Sequence, residues 1–189
     1  MDKKQRLRPY MSETVTNKTI EKIFITETEI KNRIEELGKE ITSDFAGQEL
    51  IVVCVLRGAF IFTADLCRSI DLPQKIDFMS ASSYGNATKS SGKVTLEKDL
   101  TENIEGKNVL VVEDIIDSGL TLSYLINHLA TRNPKTIKVC VLCNKPSNEQ
   151  RNVKVDYCGF KIENDFVVGY GLDNKGFLRN LPYIGIVKK

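Results

Sequence analysis

The chain has 189 residues, enough for one sizeable hydrophobic core, so we expect a single domain over residues 1–189. Apolar residues make up 41% and charged residues 28% of the sequence, which excludes wholesale disorder, and a net charge of +2 gives no field that would favour nucleic acid. No apolar run is long enough to span a membrane and no secretory signal is visible, so we expect a cytoplasmic protein without a membrane partner. Five cysteines scattered through apolar segments fit that reducing compartment.

The first half of the chain alternates helix and strand patterns. Thr26 and Glu29 form a capping box, and apolar residues at spacings of three and four behind them predict an amphipathic helix that ends near Gly47. Continuous apolar runs predict buried strands, whereas small polar residues with glycine predict a mobile loop. In chain order we expect a strand over 50–56, a helix over 58–70, a strand over 75–83, a loop over 84–93 and a short strand in "VTLEKDL".

The second half continues the same alternation. Cys140 and Cys143 form a C-x-x-C pattern inside an apolar strand, where core packing is expected, and His128 falls on a helix away from any acid pair, so no catalytic role is expected for it. The whole pattern predicts an α/β fold with a mainly parallel sheet flanked by helices. We expect a strand over 107–113, a helix from about Thr121 to Arg132, and strands in "TIKVCVLCN" and "FVVGYGLD" (166–173).

Three acids and several small polar residues follow the buried strand in "VLVVEDIIDSGLTL". In an open parallel sheet, ligands bind outside the carboxyl ends of the strands, and the first N–H groups of a following helix attract anions. Residues 117–121 therefore predict a cradle for a monophosphate, in which Gly119 lets the backbone approach closely. Glu113 and Asp114 would repel a phosphate but suit sugar hydroxyls, a hard cation such as Mg²⁺, or general-base work. Together the two parts indicate a phosphorylated sugar.

Other interpretations of the motifs fit less well. A simple helix cap uses one such residue rather than three acids. "GNATKSSGKV" has six residues between its glycines and Val after the Lys, unlike a P-loop. "GYGLDN" lacks the third glycine of a dinucleotide-binding fingerprint, and "VVED" lies mid-chain rather than near the N-terminus as in a receiver domain.

The segment "VLVVEDIIDSGLT" resembles the phosphoribosyl-pyrophosphate (PRPP) motif of type I phosphoribosyltransferases. A similarity to hypoxanthine-guanine phosphoribosyltransferases then extends from about Ile20 to Val187, through "CVLRGAFIFTADL", "DFMSASSYG", "NKPSN", "FVVGYGLD" and "RNLPYIG". The resemblance implies a small hood formed by the N- and C-terminal segments and a mobile lid loop. It also implies that a 6-oxopurine base reacts with PRPP to give IMP or GMP and pyrophosphate, with Mg²⁺ as cofactor, in a homodimer or homotetramer.

The resemblance implies roles for the residues around the phosphoribosyl group. Glu113 and Asp114 would face the ribose hydroxyls, directly or through the metal. Asp117 would be the catalytic base or proton partner at purine N7, where a carboxylate also offsets the positive charge that develops during transfer. The 5′-phosphate would be held by Asp117, Ser118, Gly119, Leu120 and Thr121.

Leu56, Arg57 and Gly58 resemble the family's pyrophosphate loop, which carries a non-proline cis peptide between its first two residues. Arg57 and Arg179 would bind the leaving pyrophosphate, because guanidinium groups present forked donors. Without the resemblance, residues 56–58 indicate only a turn between strand and helix, and Arg179 indicates only a surface charge.

At the purine, Lys145 would donate to O6, Phe166 would stack on the ring and the Val167 backbone would contact its edge. By pattern alone, Phe166 is expected in the core. Asp173 would contact the water shell of a second metal ion beside the purine site, and its place at the end of an apolar strand supports this independently.

Ser83 and Tyr84 match the family's lid positions, and the loop over 84–93 would exclude water from an oxocarbenium-like species. The sequence departs from bacterial relatives at Asn174 and Leu178, where Tyr is frequent, and at the variable position Leu120.

Two alternatives stay open. A regulator with the same fold would bind PRPP without making nucleotide, although the short N-terminal segment and balanced charge do not favour a nucleic-acid-binding version. A transferase for xanthine or another base would use the same PRPP site, and discrimination among hypoxanthine, guanine and xanthine rests on a few contacts that the sequence does not locate.

Overall fold

The computed structural model describes residues 19–84, 93–145 and 153–188. Within these ranges the helices are α1 (Glu27–Asp44), α2 (Phe60–Ser69) and α3 (Leu120–Ala130). The strands are β1 (Ile20–Ile25), β2 (Leu50–Leu56), β3 (Gln74–Tyr84), β4 (Lys93–Lys98), β5 (Asn108–Ile116), β6 (Thr136–Asn144), β7 (Tyr157–Lys161), β8 (Val167–Val168) and β9 (Ile184–Val187).

The central sheet has six strands in the order β4-β3-β2-β5-β6-β7. All neighbours pair in parallel except β3 and β4, which form an antiparallel hairpin at one edge. The carboxyl ends of the parallel strands therefore meet along one edge of the sheet, as the sequence predicted. That edge carries the ends of β2, β5 and β6 side by side.

Helices cover both faces of the sheet, which explains why its central strands are apolar on both sides. One hydrophobic cluster joins α1 and α2 to residues such as Val52 and Leu110, and all of these side chains are buried. The other cluster joins Leu122, Leu125 and Leu129 of α3 to the opposite face. The predicted α/β fold, a mainly parallel sheet flanked by helices, is confirmed.

A second sheet is built from the two ends of the chain. Its three strands lie in the order β1-β9-β8 and pair antiparallel. Ile25, Val167 and Ile184 from this sheet pack in the same cluster as α1, so the two sheets share one core. These are the N- and C-terminal segments that were expected to form a small hood.

Several local predictions need correction. The strand expected over 166–173 is only Val167–Val168, because Gly169, Tyr170 and Gly171 take positive φ angles of 100°, 51° and 102° that no strand allows. Asp173 therefore does not close a strand. The first helix ends at Asp44 rather than near Gly47, although its capping box is present. The sequence analysis also missed β1, β7 and β9.

Two predictions outside the sheet edge can also be compared with the structure. Cys140 and Cys143 are buried free thiols, as expected, and burial raises the pKa of each. His128 lies on α3, as expected, and its Nε2 is 2.9 Å from Oδ2 of Asp99. No helix in the described part of the chain is long and apolar enough to cross a membrane.

Candidate active site

The predicted phosphate cradle lies between β5 and α3. β5 ends at Ile116, and α3 begins after Gly119, whose φ of 76° gives the sharp turn between them. Gly119 is the N-cap and has no side chain to cap the helix, and Ser118 Oγ accepts from Leu120 N at a long 3.5 Å. The arrangement differs from an ordinary side-chain cap, because the turn leaves the first backbone N–H groups facing outward.

The two acids that precede the cradle occupy different environments. Glu113 is 9% exposed, and its Oε1 accepts from the backbone N of Asp114 at 3.0 Å. Burial and the neighbouring charge of Asp114 raise the pKa of Glu113 well above its usual value. Asp114 is half-buried, and its Oδ1 accepts from Ile115 N at 2.7 Å. Glu113 therefore holds a proton more readily than an exposed carboxylate does, whereas Asp114 Oδ2 lies beside Gly58 in the turn after β2.

The turn after β2 lies against this acid pair. The Leu56–Arg57 peptide is cis, as the resemblance implied and as the sequence alone did not indicate. Gly58 is buried beside Asp114, and a Cβ at position 58 would overlap Asp114 Oδ2. Arg57 is exposed on the solvent side of the turn. We call residues 56–58 the pyrophosphate loop from here on.

Residues 171–179 pack against the other side of the pyrophosphate loop. A Cβ on Gly171 would overlap the carbonyl oxygen of Gly58, so only glycine fits at this contact. Arg179 Nη1 donates to Gly171 O at 2.6 Å, and its Nη2 pairs with Asp173 Oδ1 at 2.6 Å. Asp173 Oδ2 also accepts from Gly176 N at 2.6 Å. The structure thus brings Asp173 and Arg179 together beside the loop, although Asp173 arrives there through a turn rather than a strand end.

Lys145 and Asp117 meet at the mouth of the cradle. Lys145 follows β6, its backbone N donates to Ile116 O at 3.0 Å, and its Nζ lies 4.0 Å from Asp117 Oδ2. The lysine side chain is only 14% exposed, whereas the Asp117 side chain is 64% exposed. A half-buried cation therefore lies next to an accessible carboxylate beside the predicted cradle.

Val167 begins β8 of the second sheet, and Phe166 directly precedes it. Phe166 is 56% exposed, so the expectation of a core position from its pattern was wrong. Its carbonyl accepts from Val187 N at 3.0 Å, while Val167 is buried and pairs with Ile186. The ring is therefore available for stacking, and its backbone is held by β9.

The lid positions are only partly described. Ser83 and Tyr84 end β3, where their backbones pair with Val94 and Lys93 of β4. Most of the predicted lid loop, residues 85–92, lies outside the described part of the chain.

The carboxylates can be compared with the needs of Mg²⁺. Among the described residues, no group of three or more His, Cys, Asp or Glu side chains is placed to hold a metal. Mg²⁺ is usually bound through one or two carboxylates, with water and substrate oxygens completing its shell. The adjacent Glu113 and Asp114 fit a site that needs only one or two carboxylates.

Comparison with known proteins decides the family. The profile of the phosphoribosyl transferase domain matches residues 25–175. The chain belongs to the phosphoribosyltransferase family. This phosphoribosyltransferase is 49% identical over 169 residues to the hypoxanthine-guanine phosphoribosyltransferase of Bacillus subtilis, covering 89% of this chain and 94% of the relative. It is 48% identical over 172 residues to the enzyme of that name from Mycobacterium tuberculosis, covering 88% and 85% of the two chains.

Solved structures support the same family. A hypoxanthine-guanine phosphoribosyltransferase from Bacillus anthracis matches this phosphoribosyltransferase with a TM-score of 0.84 at 45% identity, covering 90% of this chain and 99% of that one. A hypoxanthine phosphoribosyltransferase from Staphylococcus aureus matches with a TM-score of 0.89 at 40% identity, covering 94% and 96%.

One functional position escaped the sequence analysis of this phosphoribosyltransferase. Gly171 was considered only as part of an incomplete dinucleotide fingerprint, yet it packs on the pyrophosphate loop and receives Arg179. The signal was present in the two glycines of "GYGLD", which are unusual at the end of an apolar run.

Proposed function

We propose that this phosphoribosyltransferase is a purine salvage enzyme that transfers the phosphoribosyl group of PRPP to N9 of hypoxanthine or guanine, giving IMP or GMP and pyrophosphate. The observation that carries the proposal is the half-buried Lys145 beside the exposed Asp117 at the mouth of the phosphate cradle. A phosphate cradle alone fits any PRPP site. A lysine beside the cradle can donate a hydrogen bond to O6 of a 6-oxopurine. Adenine carries an amino group at that position, which does not accept such a bond.

The cradle holds the 5′-phosphate in this proposal. The backbone N–H groups of Ser118, Gly119, Leu120 and Thr121 face the anion, and the positive end of the α3 dipole adds to their attraction. The hydroxyls of Ser118 and Thr121 provide further donors. The left-handed Gly119 turn keeps these groups in place before the ligand arrives, so little ordering is needed on binding.

Glu113 and Asp114 bind the ribose hydroxyls, and with Asp173 they hold Mg²⁺. Bound Mg²⁺ would neutralise charge on the pyrophosphate of PRPP and so make it a better leaving group. Burial and the charge of Asp114 raise the pKa of Glu113, and its carboxyl oxygens can accept hydrogen bonds from sugar hydroxyls. Asp173 shares its carboxylate with Arg179, so its contact with the metal is through water.

The pyrophosphate loop and Arg179 bind the leaving group. Buried Gly58 brings the loop backbone beside Asp114, and the exposed Arg57 extends from the loop as a cation. Arg179 already donates a hydrogen bond to the Gly171 carbonyl, so its guanidinium group is oriented before pyrophosphate binds.

Asp117 is the proton partner of purine N7, and Lys145 donates to O6. As N9 attacks C1′, positive charge develops on the base, and the carboxylate of Asp117 both offsets that charge and accepts the N7 proton. Phe166 stacks on the ring, for which its 56% exposure leaves room, and the Val167 backbone contacts the purine edge. Ser83 and Tyr84 belong to the lid that excludes water from the reaction.

We further propose that residues 1–189 act as one cytoplasmic domain that assembles as a homodimer or homotetramer. The shared core of the two sheets supports the single domain, and five free cysteines support the reducing compartment. Phe60, Ile76 and Phe78 are 44%, 46% and 40% exposed near the β3 side of the sheet, which is the kind of apolar surface that a second copy would cover. Light scattering after gel filtration measures the mass of the assembly, and a monomer at micromolar concentration contradicts it.

One assay tests the activity. The protein is mixed with Mg²⁺, PRPP and each of hypoxanthine, guanine, xanthine and adenine, and nucleotide formation is followed by absorbance. We expect product with hypoxanthine or guanine and little with adenine. Binding of PRPP without any product would indicate the regulator instead, and product with xanthine alone would indicate a different base specificity.

A further inference from the structure

Glu97 is the extra residue of a β-bulge that lies close to the pyrophosphate loop. The pairing of β3 with β4 passes from Ser80–Lys98 to Ala81–Leu96 and skips Glu97. On its other side, Ser80 pairs with Leu56, the first residue of the pyrophosphate loop. One residue of β3 therefore connects the bulge to the loop, and bulges next to functional sites commonly serve to redirect a side chain.

Hydrogen bonds hold the redirected carboxylate on this side of the hairpin. Ser80 Oγ donates to Glu97 Oε2 at 2.8 Å. Hydrogen bonds from Ser82 and Ser80, together with the positive charge of Arg57, lower the pKa of Glu97. Glu97 is therefore an ionised group whose nearest opposite charge on the pyrophosphate loop is Arg57.

We propose that Glu97 is a positioning residue that competes with pyrophosphate for the guanidinium of Arg57. This inference rests on the proposed function, because that function assigns Arg57 to pyrophosphate. Without pyrophosphate, the carboxylate attracts Arg57 towards the β3–β4 hairpin. When pyrophosphate binds, Arg57 turns to it, and the two serine hydroxyls continue to solvate Glu97. The carboxylate therefore weakens pyrophosphate binding and favours its departure after transfer.

The expected effect of Glu97 on pyrophosphate affinity is small because of solvent exposure. Arg57 and Glu97 are both exposed, so their attraction is screened by water and salt. Removing the charge of Glu97 should tighten pyrophosphate binding by about two- to fivefold, in the range of measured exposed ion pairs. An effect of this size tunes release of a product without preventing PRPP from binding.

The test compares pyrophosphate affinities by calorimetry in saturating Mg²⁺ at low salt. Glu97→Gln keeps an acceptor for Ser80 while removing the charge, and Glu105→Gln, an exposed acid beyond the same hairpin, controls for the loss of one negative charge. We expect tighter binding only in Glu97→Gln. The gain should disappear when Glu97→Gln is combined with Arg57→Ala, and it should shrink in about 0.5 M salt.

Unchanged or weaker pyrophosphate binding in Glu97→Gln overturns the proposal. The same tightening in the Arg57→Ala background also overturns it, because Glu97 would then act on the ligand directly. Nucleotide formation by the wild-type protein is assayed in parallel. Failure to form nucleotide would count against the proposed function, whereas an active enzyme with identical pyrophosphate affinities would count against Glu97 alone.

Discussion

The backbone of Gly58 lies so close to the carboxylate of Asp114 that a Cβ at position 58 would overlap Oδ2. The contact joins the pyrophosphate loop to one of the two acids at the end of β5. On the other face of the loop, Gly171 lies against the Gly58 carbonyl in the same way. The position of Asp114 therefore depends on the absence of a side chain at Gly58, in the turn after the neighbouring strand β2.

We expect Gly58→Ala to lower kcat/KM for PRPP by about a hundredfold, because the new methyl group must displace the Asp114 carboxylate by an ångström or so. The overlapping atom is the end of a side chain, so the free energy of unfolding should fall by only about 1–3 kcal/mol. Steady-state kinetics and denaturant unfolding measure the two effects. Wild-type kinetics in a folded Gly58→Ala protein would show that the Asp114 position is unimportant.

Asp117→Asn should lower kcat by about a hundredfold or more while PRPP still binds. The amide keeps the size of the side chain and still reaches Lys145, but it cannot accept the N7 proton or offset the charge on the base. Single-turnover kinetics separates the transfer step from product release, and calorimetry gives PRPP affinity. A variant that transfers at the wild-type rate would remove Asp117 from the mechanism.

Lys145→Met should raise KM for hypoxanthine by about tenfold or more, because a hydrogen bond from a charged donor contributes about 1.5–3 kcal/mol. KM for PRPP should change much less, and discrimination against adenine should weaken. Lys161→Met is a matched control, since Lys161 is an exposed residue of β7. Equal increases in KM for both substrates would indicate that Lys145 supports the cradle rather than the base.

The β3–β4 hairpin is anchored by Asp77, which gives a prediction on stability and pH. The side chain is 6% exposed, and Oδ2 accepts from Thr101 N at 2.7 Å and Glu102 N at 2.8 Å. Burial acts to raise the pKa of Asp77, but these bonds and one from Phe78 N outweigh it and lower the pKa. The side-chain amide of an asparagine at this position would place its N–H group against backbone N–H groups that need an acceptor.

We expect Asp77→Asn to reduce the free energy of unfolding by about 2–4 kcal/mol at pH 7. Because the folded-state pKa lies below the unfolded value of about 3.9, the carboxylate contributes its stability above that pH and loses it as the pH falls through the folded pKa. The difference between wild type and variant should therefore narrow below about pH 4. Urea unfolding at several pH values measures this difference in the free energy of unfolding. The control variant Asp71→Asn, at an exposed site, should show neither the loss of stability nor its dependence on pH.

The central sheet could be predicted because its strands are continuous apolar runs, whereas the second sheet could not. The strands β1 and β9 contain too few residues and too mixed a pattern to be distinguished from loops. The apolar run after Phe166 has the sequence pattern of a long strand. Only the backbone angles of Gly169, Tyr170 and Gly171 show that the strand ends after two residues.

At the site, the cradle could be predicted from local sequence because strand, turn and helix follow one another without interruption. The contacts of Arg179 could not, because Gly171, Asp173 and Gly58 are brought to it by the fold. The contact of Glu97 with Ser80 is also invisible in sequence, since it lies at a bulge between β3 and β4.

The strand order β1-β9-β8 has a consequence for synthesis of the chain on the ribosome. Chains emerge N-terminus first, so β1 and β8 are both exposed before β9, which lies between them, has been made. The central sheet and the phosphate cradle are complete in sequence by then, but Val167 still lacks its neighbour Ile186. The nascent chain therefore completes the strands of the central sheet before it can form the second sheet, and a chain released before residue 184 would lack the strand that joins β1 to β8.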